Sequence, residues 1–182
     1  MKKSLMVLMA GCLFSVQAKA MDVQPYVGAD YAYSWAQMKE KSHFKSRYQA
    51  INLSVGVMTT STIALELSYM LSEQNKKASD WGQTKAEYKI YGLDGVYGLN
   101  LFDNVQGLFS LGLGYYETKV KAKTGGHFKH MDDEHFGLRA GIGAQYNLNE
   151  NWAARMMLRY HYIKGDALRY MTDLTAGVRY YF

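Results

Sequence analysis

The last stretch of the chain, Thr172 to Phe182, reads TDLTAGVRYYF and alternates without a break. Leu174, Ala176, Val178, Tyr180 and Phe182 fall on one side of a two-residue period; Asp173, Thr175, Gly177, Arg179 and Tyr181 fall on the other. That period belongs to a β-strand with two unlike faces. An apolar, aromatic-tipped face on a terminal strand suits a strand with lipid on one side and a polar lumen on the other. The remaining sequence is constrained by whether it can supply partners for such a strand.

The amino terminus points to export. Met1-Lys2-Lys3 is basic, Leu5 to Val16 is an apolar run, and Ala18-Lys19-Ala20 is a small-x-small cleavage site. Residues 1–20 are expected to form a cleaved signal peptide, because the run is shorter than the ~20 helical residues that span a bilayer. The mature domain is expected over residues 21–182. Removing Lys2, Lys3 and Lys19 leaves 18 basic against 16 acidic residues, so the mature chain is near neutral and gives no basis for nucleic-acid binding. The single cysteine, Cys12, leaves with the signal, which excludes disulfides, thiol catalysis and thiolate metal sites.

Eight alternating segments follow: Tyr26–Trp35, Tyr48–Met58, Ile63–Ser72, Thr84–Leu99, Val105–Thr118, His135–Leu148, Trp152–Ile163 and Thr172–Phe182. Abundant tyrosine, at 16 residues, and a single proline favour long strands. Ala36–Arg47, Glu73–Gln83, Lys119–Glu134 and Lys164–Met171 read as long polar loops; Thr59–Thr62, Asn100–Asn104 and Asn149–Asn151 read as short turns. The expected fold is therefore all-β: an eight-stranded antiparallel transmembrane β-barrel with four long outer loops and three short periplasmic turns.

Charge follows the same parity. Asp30, Glu66, Asp94, Arg139, Arg155, Arg159, Asp173 and Arg179 all fall on the polar face, four acids against four arginines, with no lysine among them. In the fourth segment Ile90 and Val96 share that face, and Asp94 decides its direction. Side chains fill a barrel of eight strands, and buried charges require partners. The expected interior is a salt-bridged polar core, not an open pore.

The terminal residues Thr175, Gly177, Tyr180 and Phe182 match the polar–glycine–aromatic ending of Gram-negative outer-membrane barrels. With the signal, the alternating loop lengths and the parity of the charges, the chain resembles the OmpA-like small outer-membrane barrel family in its short OmpX/Ail-like form. The resemblance implies an outer-membrane location, recognition of the terminal segment by the barrel-assembly machinery, and in some members adhesion or resistance to host defences. The expected role is structural or surface-interacting (adhesin or envelope integrity), without catalysis or cofactor. The expected barrel is a monomer in contact with outer-membrane lipid and lipopolysaccharide, with loops that could reach a host or surface ligand.

Other readings rest on particular residues. Lys39, Lys41, Lys45 and Arg47 are candidate contacts for anionic lipopolysaccharide phosphates. His127, His130, Asp132, Asp133 and His135 carry metal-ligand chemistry, but their spacing matches no defined site. His161, the one strand-interior histidine, would anchor a lipid A-modifying enzyme if a nucleophile stood beside it. A small porin-like conduit is the other alternative. Trp35, Tyr33, Tyr69, Trp152, Tyr160, Tyr180 and Phe182 read as interface aromatics, expected at two levels.

Overall fold

The computed structural model describes residues 23–38, 47–72, 75–79, 82–124, 127–163 and 168–182, with side chains described over 23–35, 47–72, 88–118, 134–163 and 170–182. The strand segments are β1 (Gln24–Met38), β2 (Arg47–Met58), β3 (Ile63–Ser72), β4 (Asn75–Ser79), β5 (Gly82–Phe102), β6 (Val105–Thr124), β7 (His127–Asn147), β8 (Trp152–Ile163) and β9 (Leu168–Tyr181). Each pairs antiparallel with its sequence neighbours, except that β3 and β4 both pair with β5. They are two parts of one barrel strand: Leu71 faces Lys89 and Asn75 faces Ala86, a register offset of one residue. β1 pairs with β9 from Tyr26↔Tyr181 to Met38↔Leu168, which closes the sheet on itself. The result is a closed, eight-stranded, up-and-down antiparallel barrel without an edge in its wall.

Alternation sorts the side chains as the sequence requires. Leu111 (70% exposed), Ile142 (57%) and Phe136 (74%) stand outside, whereas Arg159 and Arg179 (1% each) and Glu66 (0%) are inside. Such an inversion, with greasy residues out and ions in, belongs to a barrel whose solvent is lipid. Turn chemistry sets the register at one end. Asn149 Oδ1 accepts hydrogen bonds from the backbone N–H of Asn151 (3.0 Å) and Trp152 (2.8 Å), a side-chain-capped turn between β7 and β8.

Three segments read as long loops contain strand. Lys119–Glu134 continues β6 to Thr124 and opens β7 at His127, with Thr124 facing His127. Glu73–Gln83 contains β4 and the start of β5. Lys164–Met171 contains the start of β9 at Leu168. Outside the bilayer the outward face need not be apolar, so the pattern that reveals a membrane strand is lost while backbone pairing continues. At the opposite end β5 runs on to Phe102, leaving Asp103 and Asn104 as the turn into β6. The first polar loop also shrinks, because β1 reaches Met38 and β2 starts at Arg47.

The extension leaves the molecule lopsided. β7 meets β8 only from Gly137, opposite Ile163. Residues His127 to Glu134 pair with β6 on one side, and among the described residues no strand lies on the other. At ~3.4 Å per residue, the nine residues from Tyr115 to Thr124 carry this sheet about 30 Å past the barrel-wall aromatic Tyr115.

Candidate functional site

The lumen collects ions from six strands. Asp30 sits on β1, Glu66 on β3, Asp94 on β5, Arg139 on β7, Arg155, Arg159 and His161 on β8, and Asp173 and Arg179 on β9. Parity turns each inward; register decides which of them meet. Arg139 grips Asp94 through Nε (2.7 Å to Oδ1) and through Nη2 to Oδ2, while Nη2 also donates to Ser68 Oγ at 2.9 Å. Arg179 donates from Nη1 to Asp30 Oδ1 at 2.7 Å and from Nη2 to Oδ2 at 3.0 Å. Asn52 Nδ2 donates to the same Asp30 Oδ2 at 2.8 Å. These two-point contacts use arginine's planar fork, which lysine lacks.

Glu66 is the hub. Arg155 Nη1 lies 2.7 Å from its Oε2, Arg159 Nη2 3.5 Å from Oε1 and Arg179 Nε 3.6 Å from Oε2, and the Tyr26 hydroxyl donates to Oε2 at 3.0 Å. Asp173 takes a different partner. His161 Nε2 stands 2.6 Å from Asp173 Oδ2, and the Tyr116 hydroxyl stands 2.7 Å from His161 Nδ1. A neutral imidazole satisfies both contacts, accepting from Tyr116 and donating to Asp173. It also leaves the four carboxylates and four guanidiniums balanced. Both ring nitrogens are occupied, His161 is fully buried, and among the described residues no serine lies in hydrogen-bond contact with it.

Two glycines make room for this packing. Gly28 faces Arg179 across the β1–β9 seam, and a Cβ there would lie 2.5 Å from Arg179 Cδ. A Cβ on Gly92 would collide with the guanidinium of Arg139. Glycine lets a long cation lie flat against the barrel wall.

Apolar layers close the charged centre at both ends, which charge parity alone does not reveal. Toward the loop end, Tyr48, Met70, Tyr88, Ile90, Tyr116, Ile163 and Met171 pack with Ala32 and Ala50. Toward the turn end, Tyr26, Tyr181 and Ala153 form one cluster, and Val96, Leu108 and Met157 form another. Ile90 and Val96, which sit uneasily on a polar face, are members of these layers. They lower the polarity around the ions and strengthen each Coulombic contact.

Outside, the aromatics lie toward the two strand ends. Tyr69, Tyr91, Tyr115 and Phe136 form a cross-strand ladder on the loop side, with centroids 5.1, 6.1 and 5.1 Å apart. Tyr33, Trp35, Tyr160 and Tyr162 share that side. Trp152, Tyr180 and Phe182 stack at the turn side, 5.0 and 5.1 Å apart. Of the terminal four residues, Thr175 points inward and accepts from Arg159 Nη1 at 3.3 Å, Gly177 faces Asp30, and Tyr180 and Phe182 join the outer aromatics.

Residues 1–20 and Lys39, Lys41 and Lys45 lie outside the described residues. Arg47 opens β2 opposite Trp35. His127, His130, Asp132 and Asp133 fall on β7, but their side chains are also outside the described set; His135 is half-buried beside Phe136. Among the described residues, no three His, Cys, Asp or Glu side chains group as metal ligands would.

The fold has known counterparts. The Neisserial surface protein A structure superposes with a TM-score of 0.66 at 23% identity, covering 87% of this chain and 97% of that one. Ail, the attachment invasion locus protein of Yersinia pestis, superposes at 0.65 with 17% identity, covering 89% and 100%. A major outer membrane protein from Thermus thermophilus gives 0.65 at 11% identity, covering 88% and 100%. At these identities the likeness is one of fold. No curated protein sequence matches the chain. The family model for the outer membrane protein beta-barrel domain matches residues 4–182. A closed eight-stranded barrel with ions inside and a greasy wall, matched over nearly its whole length, belongs to the outer membrane protein beta-barrel domain family and resides in the outer membrane.

Proposed function

We propose that this barrel is a structural anchor that presents a surface-interaction element outside the membrane. The observation that carries the reading is the pairing of a filled lumen with a projecting sheet. The lumen is packed with salt bridges between apolar layers, which suits a plug better than a conduit. The sheet built from β4, β5, β6 and the first part of β7 has, among the described residues, an open edge at His127–Glu134. Backbone N–H and C=O groups along such an edge can accept an additional strand from another chain.

The same sheet offers charge. Its register places Lys76 opposite Lys85, Lys85 opposite Lys121, and Lys121 opposite His130, a basic row across four strands. Lys121 shares the strand parity of outward-facing Leu113. This row, with Lys39, Lys41, Lys45 and Arg47, suits lipopolysaccharide phosphates at the outer leaflet. The turns between strands then face the periplasm, the terminal Thr175, Gly177, Tyr180 and Phe182 serve the assembly machinery, and the barrel acts as a monomer. The partner of the open edge is a protein or host surface ligand.

The test is a shortened hairpin. Thr118 and Asp133 face one another, so joining them through a two-residue turn removes the tip without cutting the barrel wall. The shortened protein is expected to fold, with an unchanged boiled-versus-unboiled gel shift, and to lose cell-surface adhesion. Adhesion equal to that of the full-length barrel contradicts the reading.

A further inference from the structure

We propose that the turn-end mouth of the barrel is an oxyanion site whose receptor is the Nε–Nη2 edge of Arg155. A vestibule opens there between the β2–β3 turn and the ends of β5, β6 and β8, with a space of about 330 Å³ counting its open mouth. Its lining is half apolar, including Met58, Ala64, Val96 and Leu108; Arg155 is its one charged residue.

Arg155 is 5% exposed, and its Nη1 is committed to Glu66 Oε2 at 2.7 Å. Its Nε and Nη2 are buried and have no hydrogen-bond partner. These two nitrogens form the side-on fork of a guanidinium, the edge that receives two oxygens of one carboxylate or phosphate. Arg139 uses that same edge on Asp94 elsewhere in this lumen. Gln106 and Gln145 line the vestibule and offer further amide groups.

The pairing within the lumen leaves this fork free. Arg179 is paired at two points with Asp30, so Glu66 is left to serve both Arg155 and Arg159. Arg155 therefore meets Glu66 through Nη1 alone, and its other edge stays unpaired. A small carboxylate- or phosphate-bearing solute entering from the turn end would fill the fork. Its apolar part would lie against Val96 and Leu108.

The site is independent of the adhesion reading and is tested apart from it. The full chain, ¹⁵N-labelled in neutral maltoside micelles, is titrated at fixed ionic strength with sodium acetate, sodium phosphate or sodium chloride. The Arg155 Nε–H resonance is expected to move saturably with an oxyanion and to stay still with chloride. The Nε–H resonance of Arg139, whose fork is filled, is expected not to move. Acetate and phosphate arms separate a carboxylate from a phosphate ligand. Arg155→Lys keeps the charge beside Glu66 but loses the fork, and should abolish saturable oxyanion binding measured by calorimetry. Ser61→Trp, on the turn and outside the ion network, should block the mouth and give the same loss with the barrel intact. An Arg155 resonance that ignores all three salts, or follows chloride equally, overturns the proposal.

Discussion

Arg179 on β9 and Asp30 on β1 meet across the seam where the barrel closes, through bonds of 2.7 and 3.0 Å. They are 149 residues apart in sequence, and both are almost fully buried. The two-point contact ties the last strand to the first inside the lumen, where the backbone ladder ties them in the wall. Removing one partner leaves a buried unpaired ion, at a cost of about 3–5 kcal/mol. Arg179→Leu should therefore lower the urea midpoint of the gel-shifted, folded form strongly. The double variant Arg179→Leu/Asp30→Leu should recover part of the loss. Equal stability of Arg179→Leu and the native barrel would show that the seam does not depend on this pair.

Gly28 tests the same seam sterically. Arg179 lies where a side chain would go, so Gly28→Val forces the arginine off Asp30. Overpacking of this kind costs about 1–3 kcal/mol. Urea unfolding should show that loss in Gly28→Val, and a much smaller one in Gly95→Val, where a Cβ would meet only a backbone oxygen at 3.8 Å. Equal losses at the two glycines would contradict the packing described.

The Tyr116–His161–Asp173 chain gives a graded series. Tyr116→Phe removes one hydrogen bond from His161 Nδ1 and should cost about 1–2 kcal/mol. His161→Ala leaves Asp173 Oδ2 without its partner and opens a cavity, so its loss should be the larger of the two. Urea midpoints in the reverse order would show that His161 is not the link between the other two.

Trp35 and Trp152 mark the two aromatic levels. With the other tryptophans replaced by phenylalanine, quenching by brominated lipids should be strongest for bromines near the headgroups at both positions. Maximal quenching by bromines at the chain ends would place either ring at mid-bilayer, against the strand-end positions found here.

Lys76, Lys85 and Lys121 form the in-register basic row on the projecting sheet. Replacing all three with glutamine should weaken binding to lipopolysaccharide-containing vesicles and flatten its salt dependence. An unchanged salt dependence would place the contact elsewhere.

The wall of the barrel was legible because lipid and lumen impose opposite chemistry on alternate residues. Asp94 alone settled the direction of β5, although Ile90 and Val96 opposed it. Those two residues belong to layers that cap the ions, and a rule that makes the lumen polar throughout has no place for them. The projecting sheet reads as a loop because Lys119, Lys121 and Lys123 put charge on the parity that lipid keeps apolar, opposite Val120 and Ala122, and Gly125-Gly126 with the acids Asp132 to Glu134 complete a polar stretch. The sharing of Glu66 by three arginines was beyond sequence reasoning: parity says which side a residue faces, but only strand register and stagger say which strands' residues meet. His161 stood out as the strand-interior histidine, yet its partner Asp173 is 12 residues away on the next strand.

The most direct test of the sealed, salt-bridged lumen is single-channel recording of the folded barrel in a planar bilayer. Folded protein, verified by its unboiled gel mobility, should give no sustained steps over a wide voltage range. Long-lived, ion-selective steps from the same folded preparation would mean that a continuous water path runs through the layers around Ile90 and Val96, and would contradict the filled lumen.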